Sequence, residues 1–297
     1  MRVSHLATVA SLCAFAAQLG AVTYTVQTLT YPGATQLYAQ AVNTAGEVAG
    51  FYTDDTGTSH GFTWTAGTFT IINIPGSSGT WVTGINDSGV ICGYFHKTSG
   101  SSSGITLGFQ QTGNKIVSFA LNSNARGTFP GGINNAGEIS GYDETGSLAA
   151  GVFGGFVVTA PSGGTDTTVD VSGEAGTWVG GVNNSEVVVG FAGADLNPTT
   201  PVEAFAYSVP KATFQTFNMP NMVQTRFYSL NDVGNIAGYG LDSTGLTHGF
   251  VYHSGTYSAF EISGYSATIP QAINNSGVVV GYLVTTTNSV IGFVATP

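Results

Sequence analysis

The chain has very little charge. Asp, Glu, Lys and Arg make up 7% of its 297 residues, where a soluble domain averages about 25%. Only six residues are Lys or Arg, and the formal net charge is −10. Such a chain repels phosphate backbones and anionic lipid, so nucleic acid and anionic membrane surfaces are excluded as partners. Cysteine is scarce as well, with Cys13 near the N-terminus and Cys92 in the body of the chain. Once the N-terminal segment is removed, one thiol cannot form a disulfide within the chain. His60, His96, His248 and His253 form no H-x-x-x-H pair, so no metal and no cofactor is expected. No apolar run reaches the roughly 20 residues of a membrane-spanning helix, so no membrane span is expected.

The run that comes nearest, residues 6–17, follows Arg2 and ends near small residues. Residues 1–21 therefore read as a secretory signal peptide, cleaved after Ala16 or Ala21. No C-terminal anchor is expected. Residues 22–297 read as a single domain of a secreted, extracellular protein.

What the sequence does have is glycine, 43 residues, about twice the usual ~7%, and a repeat. Residues 272–282 read AINNSGVVVGY, and the same pattern starts at Ala41, Gly84, Gly132, Gly181 and Ser229. In each copy an aliphatic residue precedes an Asn: Asn43, Asn86, Asn134, Asn183, Asn231 and Asn274. Asn side chains bond nearby backbone N–H groups and start tight turns. Three residues later stands Gly46, Gly89, Gly137, Gly234 or Gly277, as a hairpin with a bulge requires. The fourth copy has Glu186 there, which predicts a strained turn. A second glycine, at Gly50, Gly93, Gly141, Gly190, Gly238 and Gly281, falls inside the second strand and marks a close approach. Turn capping explains the six Asn; a ring of Asn around a ligand is the alternative.

The Asn recur every 43 to 49 residues, the period of a four-stranded propeller blade. After each hairpin a Gly-Phe or Ala-Phe pair (Gly61-Phe62, Gly249-Phe250) opens a third strand. An alternating fourth strand follows, as in TFTIINI at 68–74 and TYSAFEI at 256–262. The last repeat lacks its fourth strand, while residues 23–29, TYTVQTL, stand spare before the first. The expected fold is thus all-β: a six-bladed β-propeller with four-stranded blades, closed when the N-terminal strand completes the last blade.

The I-N-N-x-G-x-x-x-G-Y hairpin followed by H-G-F or G-F resembles the bacterial extracellular HAF repeat family. The resemblance covers nearly all of residues 22–297 and is nearest at His60-Gly61-Phe62 and His248-Gly249-Phe250. Leu107, Gly154, Glu203 and Ile291 replace the His in the other repeats. The resemblance implies secretion and repeat architecture, and it transfers no catalytic residue.

Candidate chemistry is sparse. Two G-x-S-x-G runs, at 57–61 and 100–104, lack the helix pattern that a nucleophile elbow needs, so no catalytic residue is assigned. Acidic turns at Asp54-Asp55, Asp143-Glu144 and Asp242 could each hold Ca²⁺ weakly; solvated Asp-Gly turns are the alternative. The best ligand-binding candidates stand five residues before each Asn: Tyr38, Trp81, Phe129, Trp178, Arg226 and Ile269. In a propeller these positions rim one mouth of the central channel and could present ring faces to a ligand; packing between blades is the alternative. The sequence thus favours a non-enzymatic binder of an extracellular ligand, a glycan or another extracellular protein. A self-associating matrix or fibre subunit, and a hydrolase or lyase on the same scaffold, are the other readings.

Overall fold

The computed structural model describes residues 13–15, 23–98, 104–121, 126–147, 150–161 and 164–297. The expected signal peptide lies outside these residues, apart from a short strand, Cys13–Phe15, paired antiparallel with the start of Tyr24–Leu29. The second G-x-S-x-G run also falls mostly outside them. Among the described residues there are strands and turns but no helix.

Each repeat begins with an inner strand that carries the aliphatic residue before the Asn. These strands are Ala34–Val42, Ser77–Ile85, Gly127–Ile133, Gly176–Val182, Met222–Leu230 and Ala267–Ile273. In the first repeat, Val48–Asp54, Ser59–Thr65 and Thr68–Ile72 follow in antiparallel succession. The last repeat contributes Ala267–Ile273, Val279–Val284 and Val290–Thr296. Beside Val290–Thr296 lies Tyr24–Leu29, with Leu29 opposite Gly292 and Thr25 opposite Thr296. The pairings form two sheets, of nine and sixteen strands, and neither closes on itself.

The core is divided among the repeat boundaries. One cluster joins Ile72, Ile74 and Ala49 of the first repeat to Val82, Ile91 and Phe109 of the second. Similar clusters lie at each later boundary. Another joins Leu37, Val48 and Phe62 of the first repeat to Ala272, Val280 and Val294 of the last, with Leu29 among them. The Phe that opens each third strand sits deep in these clusters; Phe62, Phe109, Phe205, Phe250 and Phe293 have no exposure. Burying such a ring contributes roughly 1.5–3 kcal/mol. Cys92 is fully buried in the same manner, and burial pushes its thiol up to about 12, so it is an apolar filler.

The hairpin turns are built by the Asn. The Asn183 Oδ1 accepts from the Ser185 and Val187 N–H groups, at 3.0 Å each; Asn86, Asn134, Asn231 and Asn274 do the same, while Asn43 Oδ1 accepts from the Glu47 N–H. The Asn183 Nδ2 does something the turn reading did not anticipate: it donates to the Asn231 carbonyl in the next repeat. The bonds continue Asn43 to Asn86, Asn86 to Asn134, Asn134 to Asn183, Asn231 to Asn274 and Asn274 back to Asn43, at 2.8–3.3 Å. The six carboxamides therefore form a complete cycle. Glu186 adopts φ 54°, left-handed without a glycine, so the expected strain is present.

Two outcomes follow. Asn183→Ala leaves the Ser185 and Val187 N–H groups unpaired and removes one of the two hydrogen bonds at the Asn231 carbonyl, and it should cost roughly 1–3 kcal/mol. Glu186→Gly should stabilise by about 0.5–1 kcal/mol, because the left-handed backbone is then unstrained. Urea denaturation measures both. Removing residues 1–30 strips the ladder partner of Val290–Thr296, with buried Tyr24 and Leu29. Thermal melting should drop by several degrees or give way to aggregation, and a truncated chain that melts like the parent contradicts this.

Candidate functional site

Every inner strand bulges three residues before its Asn. The register slips at Gln40, Thr83, Gly131, Tyr228 and Gln271, and across Gly180-Gly181. The second-strand glycine accompanies the bulge. A Cβ on Gly50, Gly93, Gly141, Gly190, Gly238 or Gly281 would run into the carbonyl oxygen of Tyr38, Trp81, Phe129, Trp178, Arg226 or Ile269. The close approach read from the sequence is thus made by the backbone of the six candidate residues.

The bulged residues face a cavity of about 390 Å³ enclosed by the inner strands. Gln40, Thr83, Tyr228 and Gln271 put side chains on its wall, whereas Gly131 and Gly180 put none. A side chain there has no room: a Cβ on Gly131 would sit 2.6 Å from the Gly180 carbonyl, and one on Gly180 would strike the Tyr228 carbonyl. Aromatic residues line the cavity as well: Tyr94, Phe129, Tyr142, Trp178 and Phe191. Exposed Leu196 also borders the cavity and marks its opening. Val42, Ile85, Ile133, Val182, Leu230 and Ile273 form the floor, since they line both this cavity and a recess of about 80 Å³ beyond it.

Among the six candidate residues, Phe129, Trp178 and Arg226 border the cavity, and Tyr38, Trp81 and Ile269 do not. Trp178 and Ile269 are 4% exposed. The candidates also have ring partners that the sequence reading missed. Tyr38 stacks on Phe51 at 4.6 Å, Trp81 on Tyr94 at 5.2 Å, Phe129 on Tyr142 at 5.0 Å and Trp178 on Phe191 at 5.5 Å. The partner is always the aromatic that ends the repeat, opposite on the neighbouring strand. Edge contacts join successive pairs, such as Tyr94 to Phe129 at 5.1 Å and Tyr38 to Tyr282 at 5.0 Å. The rings thus form a packed belt, part of which turns into the cavity. Burial pushes the Tyr142 hydroxyl up to about 12 and raises those of Tyr94 and Tyr228 well above the ordinary tyrosine value. All three stay protonated at neutral pH and can donate hydrogen bonds.

The recess beyond the floor carries Thr44, Asp87, Asn135, Asn184, Asp232 and Asn275. Backbone N–H groups of the first five donate to the side-chain oxygen of the next repeat's residue, at 2.8–2.9 Å. Burial opposes ionisation of Asp87 and Asp232, but hydrogen bonds from Thr44 and Asn135, and from Asn275 and Asn184, outweigh it and hold both below the usual carboxylate range.

The His of the two H-G-F runs has a local role. His60 Nε2 lies 3.1 Å from Asp54 Oδ2, and His248 Nε2 lies 3.1 Å from Asp242 Oδ2. The other oxygen of each Asp accepts from the loop, at Thr56 and Thr58 and at Thr244 and Leu246. These carboxylates are occupied by their own turns. Asp143-Glu144, read as a third acidic turn, instead lies within the strand Ile139–Ser147, and Glu144 pairs with Arg126 at 3.1 Å. No cluster of three metal-ligating side chains occurs among the described residues. Ser59 is buried within a strand, beside Thr53 at 3.4 Å, so 57–61 is a turn running into a strand and not a nucleophile elbow.

No family model matches the chain, and no curated protein does. Solved structures do. A protein of Arthrobotrys oligospora, AofleA, matches with a TM-score of 0.57 over 94% of this chain and 88% of that one, at 13% identity. The Aleuria aurantia lectin, a fungal lectin described as a six-bladed β-propeller with a novel fucose recognition mode, matches with a TM-score of 0.52 over 90% and 93%, at 13% identity. A gluconolactonase of Xanthomonas campestris, XC5397, matches with a TM-score of 0.53 over 95% and 92%, at 10% identity. At such identities the likeness shows the fold. The chain is a β-propeller.

The Asp242–His248 contact gives a pH signature. The Asp242 hydrogen bond, with Glu261 beyond it, raises the His248 pKa against the opposing effect of burial, while hydrogen bonds from Thr244 and His248 lower that of Asp242. The His contribution to stability is complete below the unfolded His value of about 6.5 and fades as pH rises through the raised folded value. The Asp contribution is complete above the unfolded value of about 4 and fades as pH falls through its lowered one. NMR titration should place the His248 midpoint above 6.5, and Asp242→Asn should bring it down. A midpoint at or below 6.5 contradicts the pairing.

Proposed function

We propose that the chain is a secreted propeller of six four-stranded blades, with Tyr24–Leu29 completing the last blade and closing the ring. Its function is to bind an extracellular glycan in the cavity between the C-terminal halves of the inner strands, without catalysing a reaction. Membership of the HAF repeat family belongs to the same proposal and rests on the six hairpins and the two H-G-F runs. Secretion rests on the N-terminal segment. The asparagine cycle, the Tyr24–Leu29 ladder and the core cluster joining last repeat to first support the closed ring.

The observation that carries the function is the composition of the cavity wall. The aromatic rings of Phe129, Trp178 and Phe191 share the wall with the carboxamides and hydroxyl of Gln40, Gln271 and Thr83. A sugar has an apolar C–H face and a rim of hydroxyls, and this wall matches both. The volume, about 390 Å³, falls within the range of roughly 300–1,000 Å³ that small-molecule sites occupy. Among the described residues the wall has no carboxylate, imidazole or thiol, and its phenols, Tyr94, Tyr142 and Tyr228, are held protonated, so it is furnished for holding a ligand. The fucose recognition reported for the Aleuria aurantia lectin supports a sugar as the ligand class.

A glycan array should return sugar ligands, and Phe129→Leu should weaken them about fivefold, the value of one aromatic contact of about 1 kcal/mol. Trp81→Phe, outside the cavity, should leave them unchanged. Binding lost through Trp81 and retained through Phe129 would move the site elsewhere on the belt.

A further inference from the structure

Arg226 is the one cation on the cavity wall among the described residues. It sits on the inner strand Met222–Leu230, with its guanidinium carbon 5.1 Å from the Phe191 ring centre and 5.6 Å from that of Tyr239. One nitrogen, Nη2, donates to Gln224 Oε1 at 2.6 Å. Gln224 has no exposure, and its Nε2 is fixed by the Asn197 and Thr200 carbonyls at 2.7 and 2.9 Å. The loop that carries Leu196 to the cavity opening therefore also orients Arg226, through Gln224.

The guanidinium is left incompletely partnered. Its Nε is buried without a hydrogen-bond partner, and no carboxylate of the described residues pairs with it. A buried charged donor without an acceptor is costly and uncommon. Nη1, by contrast, has no hydrogen-bond partner among the described residues and is accessible, and a guanidinium N–H meeting a carboxylate oxygen makes a charge-assisted hydrogen bond. The ring faces and carboxamides nearby suit the rest of a sugar.

We infer that the cavity selects a carboxylate-bearing sugar, a uronic acid residue, with Arg226 as the carboxylate anchor and Gln224 as the residue that positions it. This rests on the glycan proposal and adds the ligand class. It also requires the selectivity to be local, because a chain of net charge −10 attracts no anion at long range.

Isothermal titration of the full chain decides it, using methyl glucuronoside and methyl galacturonoside against methyl glucoside and methyl galactoside. Each pair differs only in carboxylate against hydroxymethyl. At least one uronide should bind about tenfold more tightly than its neutral counterpart, as a charge-assisted hydrogen bond implies. Arg226→Gln should remove that margin, and Arg226→Lys should keep part of it. If Arg226→Gln fails to fold, Leu196→Glu at the exposed opening decides, because it should weaken the uronide more than the neutral sugar. Equal affinity within both pairs, or a margin that survives Arg226→Gln, overturns the inference and leaves the glycan proposal standing. Preference for a sulfated sugar, tested with galactose 6-sulfate, overturns it in the same way. Failure of every sugar to bind, here and on the array, overturns both.

Discussion

Six asparagine carboxamides, each shared between its own turn and the next repeat, set the geometry of this molecule. Within its hairpin an Asn Oδ1 takes the N–H groups that a tight turn leaves unpaired. Across the boundary its Nδ2 adds a second hydrogen bond to a carbonyl that the next repeat's own turn already uses. Both partners are backbone atoms at fixed positions, so one small side chain sets the turn and the distance between neighbouring inner strands together. The Asn are 4–8% exposed, and at that burial an unpaired amide is expensive. Changing one repeat's spacing would unpair atoms in two. The hydrophobic clusters between repeats supply most of the stabilisation, but they are non-directional. The carboxamides give them a fixed register.

The cavity is a by-product of the same spacing. With the Asn ends drawn together and the aliphatic residues packed as a floor, each inner strand bulges toward the interior. Where the bulge is glycine, at Gly131 and Gly180, neighbouring backbones touch. Where it carries Gln40, Thr83, Tyr228 or Gln271, polar side chains reach inward. Six similar repeats thereby build an asymmetric chamber lined by both aromatic and polar side chains. The second-strand glycines make room for the carbonyls that the bulge displaces. Packing and cavity-lining positions are interleaved along one strand: core at the residue before the Asn, lining two residues earlier, and the aromatic belt two residues before that.

Much of this was legible in the chain. Gly-Phe pairs and alternating runs located the third and fourth strands, and the spare segment at 23–29 pointed to its partner. The physical signal was local in each case: a turn residue, a period of two, a glycine where a side chain cannot fit. What was not legible depends on partners far along the chain. The bond from Asn183 to Asn231 joins residues 48 apart and leaves no mark beyond the Asn already assigned to the turn. The bulge carries Gln, Thr, Gly, Gly, Tyr and Gln in turn, so no shared residue type betrays it. The aromatic that ends each repeat was visible, but its stacking on Trp81 or Phe129 required the strand register. Asp143-Glu144 resembled the true turns at Asp54 and Asp242, yet extended pairing with the following strand absorbs it. Arg226 stood out only as an exception among aromatics, because its positioning by Gln224 depends on a loop some 25 residues upstream.

In the proposed closed ring the repeats stand or fall together, with the junction between last and first equal to the others. Native-state hydrogen exchange tests this most directly, read at the turn amides that the Asn side chains hold: Glu47, Val90, Glu138, Val187, Asn235 and Val278. All six should exchange with the same opening free energy, equal to that of global unfolding. Faster exchange at Glu47 and Val278 than at the other four would mean that the junction opens by itself, and the closed ring would be contradicted.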